Sequence, residues 1–177
     1  MRLHPSRTLL CVIDVQERLL AAMPTATVLV SRAMRLAQAA LLLNVKSVLT
    51  EQYPQGLGST PGMLAEKMPP PLAKMSFSCC GSEEFNRSVD PTIETVVLCG
   101  LETHVCIAQT AIDLLGRGLG VFIVVDAVAS RYAIDHETAL QRLQSQGAIL
   151  TTSEAVLFEW CGSAEHQYFQ AIRTLVK

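Results

Sequence analysis

Apolar runs and helical patterns alternate along this chain from one end to the other. Residues 8–13 are almost wholly apolar and stop at Asp14, which reads as a buried strand. Residues 25–43 follow as a long helix, apolar on more than one side through Leu29, Ala33, Leu36, Ala37, Ala40 and Leu41. Residues 45–50 read as a second strand. Residues 54–71 then form a loop holding five of the eight prolines beside Gly56, Gly58 and Gly62, with a short helix expected around 63–67. A short third strand is expected just before or including Lys74.

The second half repeats the alternation. Residues 95–99 predict a fourth strand and 105–115 a helix whose Ala108, Ala111, Ile112 and Leu115 share one face. Gly116 and Gly118 provide its stop. A fifth strand is expected over 121–125, ending at Asp126, a helix over 135–146, and a sixth strand over 148–151. Two terminal helices are expected over 152–160 and 164–176. Apolar strands separated by helices specify an α/β fold: a three-layer, open, mostly parallel six-stranded sheet with helices on both faces, Rossmann-like in its winding. Right-handed crossovers place the loops after the strands along one edge, where such sheets bind ligands. No repeat, low-complexity segment or linker divides the chain, so residues 1–177 are read as one domain.

Composition narrows the function classes. The chain is 50% hydrophobic and 17% charged, with a mean hydropathy of +0.32. No apolar run approaches the roughly 18 residues that span a bilayer. The surplus apolar surface therefore predicts homo-oligomeric contacts, not a membrane. The opening seven residues are basic, yet the apolar run 9–13 is too short for a signal peptide, so a cytoplasmic location is expected. Net charge is −2 with no Lys/Arg run, which gives no nucleic-acid footprint. The six cysteines form no CxxC pair and the four histidines show no ligand spacing with them. Reduced thiols are the expectation.

The stretch from Val96 to Ala111 carries the most chemistry. It reads as a buried strand, a Gly-led turn and a helix with Cys106 in its first turn. Free N–H groups and the positive helix end there favour a thiolate. Asp14 and Lys74 fall at the ends of other predicted strands, on the same rim. Each has a plainer reading alone: Asp14 as a cap, Lys74 as a solvated lysine, Cys106 as a small buried hydrophobe. Together they suit covalent acyl transfer, with a carboxylate to take the thiol proton and a lysine to support both charges. Among further candidates, Gln16 either orients the site or caps a helix. Tyr53 and Phe77 either wall a substrate pocket or belong to the core. His104 either moves a proton or makes a structural hydrogen bond.

Residues 8–16 (Thr-Leu-Leu-Cys-Val-Ile-Asp-Val-Gln), Lys74 followed by Ser76-Phe77, and Gly100 through Ala111 resemble the isochorismatase-like cysteine hydrolase family. Val124-Val125-Asp126-Ala127 and Thr151-Thr152-Ser153-Glu154 fit the same pattern, so the resemblance runs over about residues 8–160. Thr50-Glu51-Gln52-Tyr53-Pro54 and Glu102-Thr103-His104-Val105-Cys106 are similar to the branch of isochorismatase domain-containing proteins. The resemblance implies Asp14 as base, Lys74 as electrostatic support and Cys106 as nucleophile. It also implies a cis peptide at Leu101–Glu102, and an oxyanion hole from the backbone N–H groups of Glu102 and Cys106.

The departures sharpen the reading. Nicotinamidases of that family carry a metal-binding Asp-x-His after the second strand, where this chain has Glu51-Gln52-Tyr53. A single carboxylate is a poor transition-metal site, so no metal and no cofactor are expected, and nicotinamide is disfavoured as substrate. Isochorismatases proper cleave a vinyl ether without a cysteine nucleophile. Cys106 therefore points to a small amide or related C–N substrate. The competing readings are a catalytically quiet oligomeric binding or scaffold protein, and a thiol redox sensor, which would need a second cysteine close to Cys106.

Overall fold

A computed structural model, describing all residues 1–177, places six strands in one sheet. In chain order the elements are β1 (Thr8–Ile13), α1 (Glu17–Leu20), α2 (Ala26–Leu42), β2 (Lys46–Gln52), α3 (Pro54–Leu57), α4 (Gly62–Ala65) and β3 (Leu72–Lys74). There follow α5 (Glu83–Ser88), β4 (Thr95–Leu101), α6 (Ala108–Gly116), β5 (Gly120–Ala129), α7 (Ala133–Ser145), β6 (Ile149–Thr151), α8 (Ser153–Cys161) and α9 (Phe169–Leu175). Single 3₁₀ turns occupy Pro5–Arg7 and Cys79–Gly81, and a π-helical turn, Thr103–Ile107, leads into α6.

The strand order is β3-β2-β1-β4-β5-β6. Every neighbouring pair is parallel, so the expected mostly parallel sheet is parallel throughout. Burial on both faces explains why β1 and β4 are apolar at successive positions instead of alternating, since every residue of both is buried. Leu29, Ala33, Leu36 and Ala40 of α2 pack with α8 and α9 in the larger core cluster on one face. Phe85 of α5, Ala111 and Leu114 of α6 and Leu143 of α7 belong to the smaller cluster, on the face that also holds Cys106. No helix is long and apolar enough to cross a membrane.

Winding reverses between β1 and β4: the chain moves outward from β1 to β2 and β3, then returns to lay β4 against the other side of β1. This leaves a crevice beyond their carboxyl ends, where open sheets place their sites. Gly100 makes the crevice narrow. It pairs with Ile13, has φ +120, and a Cβ there would lie 1.9 Å from the Ile13 carbonyl oxygen. Only glycine admits that approach.

Two expectations change. β5 does not end at Asp126 but continues to Ala129, with a register shift against β4 between Leu98 and Gly100. The Asp126 carboxylate is accommodated because it accepts from the Ser153 N–H at 2.7 Å and the Ser153 hydroxyl at 2.5 Å. The last helix begins only at Phe169, because 164–168 form turns. The proline-rich loop is tied to its surroundings at three points. Gly58 O accepts from Gln16 Nε2 at 2.7 Å, Thr60 N donates to Glu51 Oε1 at 2.7 Å, and Gly56 O accepts from Arg18 at 2.6 Å.

Candidate active site

Asp14 is the residue after β1, held in the left-handed region at φ 52, which aspartate tolerates better than most side chains. Its backbone N–H donates to Thr50 O at 3.1 Å, prolonging the ladder with β2 by one residue. The side chain therefore projects from the sheet edge into the crevice. Both carboxylate oxygens are engaged: Oδ1 accepts from the Thr50 hydroxyl and Oδ2 from Lys74 Nζ, each at 2.7 Å. Lys74 ends the short edge strand β3, and the ion pair is almost completely withdrawn from water. Its ammonium also donates to Gln52 Oε1 at 2.7 Å and lies 3.3 and 3.2 Å from the Ser76 and Phe77 carbonyls. Three donors facing this many acceptors leave no polar group of the lysine unmet.

Cys106 approaches from the opposite side of the crevice, on the π-helical turn after β4. Leu101–Glu102 is a cis peptide, as the resemblance implies. The thiol is 5% exposed. Burial pushes its pKa well above the ordinary 9.0, the Asp14 charge and hydrogen-bond contact push the same way, and the Lys74 charge opposes them. Removal from water beside a carboxylate thus works against the thiolate that the helix start favours. Asp14 and Lys74 are in direct contact, and both lie near enough to Cys106 for their charges to act on it.

The lesser candidates separate. Gln16 is fully buried and its amide is committed to backbone: Nε2 donates to Gln52 O at 3.0 Å as well as to Gly58 O, and Oε1 accepts from Gln52 N at 2.8 Å. It holds the loop and β2 in place. Tyr53 and Phe77 are 46% and 52% exposed, so they stand at the rim and not in the core. His104 Nδ1 pairs with Ser130 Oγ at 2.9 Å, the structural alternative for this histidine, with Asp135 4.0 Å from its other nitrogen.

Several residues of the site escaped the sequence reading. Thr50 and Gln52 complete the cage around Asp14 and Lys74; the sequence marked them only within the Thr50-Glu51-Gln52-Tyr53-Pro54 run of the branch resemblance and gave them no role of their own. Three consecutive residues of the nucleophile turn are each held from the β5–α7 connection or the first turn of α7. Glu102 Oε1 accepts from Arg131 N and Nε at 3.2 and 3.0 Å, Thr103 Oγ1 meets His136 Nδ1 at 2.9 Å, and His104 meets Ser130. Nothing in the spacing of residues 130–136 marked them. No group of three His, Cys, Asp or Glu side chains is placed to hold a metal ion.

Comparison with known proteins agrees with the fold. The isochorismatase domain model matches residues 8–155. Isochorismatase domain-containing protein 2 of Bos taurus is 43% identical over 176 residues, covering 99% of this chain and 86% of that protein. Its counterpart from Homo sapiens is 40% identical over the same length, with the same coverage of each. Among solved structures, the MAR1 ribonuclease of Caenorhabditis elegans superposes with a TM-score of 0.95 at 37% identity, covering 99% of this chain and 92% of that one.

Proposed function

The chain belongs to the isochorismatase domain family, and we propose that it is a metal-independent cysteine hydrolase cleaving a small amide or related C–N bond. One observation carries the reading: the buried Asp14 carboxylate accepts from the Lys74 ammonium at 2.7 Å, and the charges of both act on the Cys106 thiol. In this reading Cys106 attacks the substrate carbonyl while its proton passes to Asp14. Backbone N–H groups of Glu102 and Cys106 receive the developing oxyanion; losing one such donor typically slows a reaction by about 10²–10³. Asp14 returns the proton to the departing nitrogen, the C–N bond breaks, and an acyl-thioester remains on Cys106. Water then attacks the thioester with Asp14 again as base, releasing a carboxylic acid and the free thiol. Lys74 supports the carboxylate through both halves without moving a proton. Cys106 and Lys74 are buried, whereas Tyr53 and Phe77 are exposed.

The cytoplasmic reading rests on six cysteines that are all free, as expected of a reducing compartment. Val28, Leu41, Met63, Tyr132 and Ile134 are large apolar side chains left on the surface, and they support homo-oligomeric assembly, for which a scattering mass above 19.2 kDa is the check. The ribonuclease named above raises a nucleic-acid alternative, but a net charge of −2 without a Lys/Arg run offers little attraction for a polyphosphate chain.

The test is covalent labelling. A small electrophile such as iodoacetamide is expected to modify Cys106 ahead of the buried Cys11, Cys79 and Cys99, and Asp14→Asn is expected to slow that labelling without unfolding the protein. Labelling of the other thiols while Cys106 stays unmodified would falsify the nucleophile assignment. Equal rates in the wild type and Asp14→Asn would remove the base.

A further inference from the structure

Hydrolysis uses one cysteine and leaves a second, Cys79, beneath the same carboxylate without a task. Cys79 begins the 3₁₀ turn Cys79–Gly81, shortly after Lys74. Its backbone N–H donates to Thr110 Oγ1 at 2.9 Å, and Thr110 follows Cys106 by four residues, one turn along the same helical face. Its thiol lies 4.0 Å from Thr50 Oγ1, which in turn donates to Asp14 Oδ1 at 2.7 Å. The charge of Asp14 acts on Cys106, and so does the neighbouring Cys79. Both sulfurs belong to one buried apolar cluster.

We propose that Cys79 is the resolving thiol of Cys106: a peroxide oxidises Cys106, and Cys79 then closes a Cys79–Cys106 disulfide that switches the site off and shields the nucleophile. Hydrogen peroxide is the oxidant. The Cys106 sulfur attacks one peroxide oxygen, the O–O bond breaks, and the thiol proton, carried by Asp14, leaves with the second oxygen as water. Cys106 is then a sulfenic acid. The Cys79 sulfur attacks the Cys106 sulfur, the S–O bond breaks, and the hydroxyl departs as water with the Cys79 proton. The two sulfurs together lose two electrons, which the peroxide has accepted.

Access favours this order of events. Any thioester formed on Cys106 must be reached by water, and hydrogen peroxide is little larger. Cys79 has no exposed surface, so oxidation reaches it only through a neighbouring sulfur. Burial pushes its thiol up to about 11, against an opposing effect of the Lys74 charge, which keeps Cys79 a quiet thiol until Cys106 has reacted. The other cysteines are placed less well. Cys99 points back to the Cys11 carbonyl at 3.7 Å inside the sheet. Cys161 contacts Ser163 O at 3.5 Å and packs in the opposite core cluster. Cys11 neighbours Cys79 but is completely enclosed and makes no contact with the base.

The inference shares Cys106 with the hydrolase reading, but its readout is a covalent mass that needs no substrate, so the two can fail separately. The whole protein is exposed to hydrogen peroxide, remaining thiols are blocked with iodoacetamide, and unreduced tryptic peptides are weighed. Trypsin cuts after Lys74, Arg87 and Arg117, so Cys79 and Cys80 share one peptide and Cys99 and Cys106 another. A cross-link between these two peptides, lighter than their sum by two hydrogens and reversed by dithiothreitol, is expected. It should vanish in Cys79→Ser and Cys106→Ser and persist in Cys80→Ser and Cys99→Ser. In Cys79→Ser, Cys106 should instead gain two oxygens that dithiothreitol does not remove. Cys79→Ala, which only takes a sulfur out of an apolar cluster, gives the same readout if serine disturbs packing. The proposal is overturned by a cross-link that survives loss of Cys79, by irreversible oxidation of Cys106 at equal rates with and without Cys79, or by a Cys106 that peroxide leaves untouched.

Discussion

The two walls of the crevice are built on opposite principles. On the β1–β2–β3 side, Asp14, Thr50, Gln52 and Lys74 are all buried, and their side chains are bonded to one another. On the β4–β5 side, Glu102, Thr103 and His104 are gripped by Arg131, His136 and Ser130 through bonds that are part exposed. The first wall holds a fixed pair of charges in low dielectric, where losing a partner is expensive. The second holds the shape of the turn that carries Cys106, through contacts that water and pH can loosen. Charge is thus stored where the fold cannot move, and adjustment is left to the side with the nucleophile.

The sharpest break is on the rigid wall. Lys74→Met keeps the length of the side chain but leaves the Asp14 carboxylate in a buried site without its cation. Breaking a buried pair from one side costs about 3–5 kcal/mol. The expected outcome is a fall of that size in unfolding free energy by urea titration, together with loss of Cys106 labelling. A variant as stable as the wild type would mean the two charges are not confined as the 2.7 Å contact implies.

Thr50→Val probes the same wall more gently. It preserves shape and removes only the hydroxyl on Asp14 Oδ1. A buried acceptor stripped of one donor costs about 1–3 kcal/mol, less than the loss of Lys74 because the cation remains. Labelling of Cys106 is expected to slow as well, since the base loses one of its two anchors. A large stability loss with unchanged labelling would make Thr50 a packing residue alone.

How far these walls could be read in advance follows from what each is made of. Asp14 and Cys106 were legible because an apolar run stopping at a charge, or a cysteine opening a helix after a buried strand, is visible in one dimension. Lys74 was legible only jointly with them. The role of Thr50 and Gln52 was not, although their run entered the branch resemblance, because polar residues closing a strand look like ordinary surface until β2 is set beside β1. The clasp from 130 to 136 was hidden further, behind a strand that sequence ended at Asp126 and that in fact runs to Ala129. Its three extra residues, allowed by Ser153 satisfying the Asp126 carboxylate, are what carry Ser130 and Arg131 up to the turn. The balance of effects on the Cys106 thiol was only half legible, for a different reason. Sequence shows the helix start, whereas burial and the facing carboxylate exist only after folding.

The smallest effect belongs to the adjustable wall, and it has a direction in pH. Burial lowers the pKa of His136 below its ordinary 6.5, with Glu137 acting weakly the other way. The unfolded chain therefore takes up this proton before the folded one does. Stability contributed by the neutral ring is complete above the unfolded value and is lost as pH falls from there through the lowered folded value. The ring is partly in water and its main bond is to Thr103 Oγ1 at 2.9 Å, so the contribution sits at the low end of the roughly 0.5–1.5 kcal/mol of a single hydrogen bond. His136→Gln keeps a polar partner for Thr103 but cannot titrate. Between about pH 7.5 and 5.5 the wild type should lose more in melting temperature than the variant, the difference cancelling the other titrating groups. Parallel profiles for the two proteins would show that His136 is held no differently from a free histidine, and that the β4–β5 wall is as rigid as the one opposite.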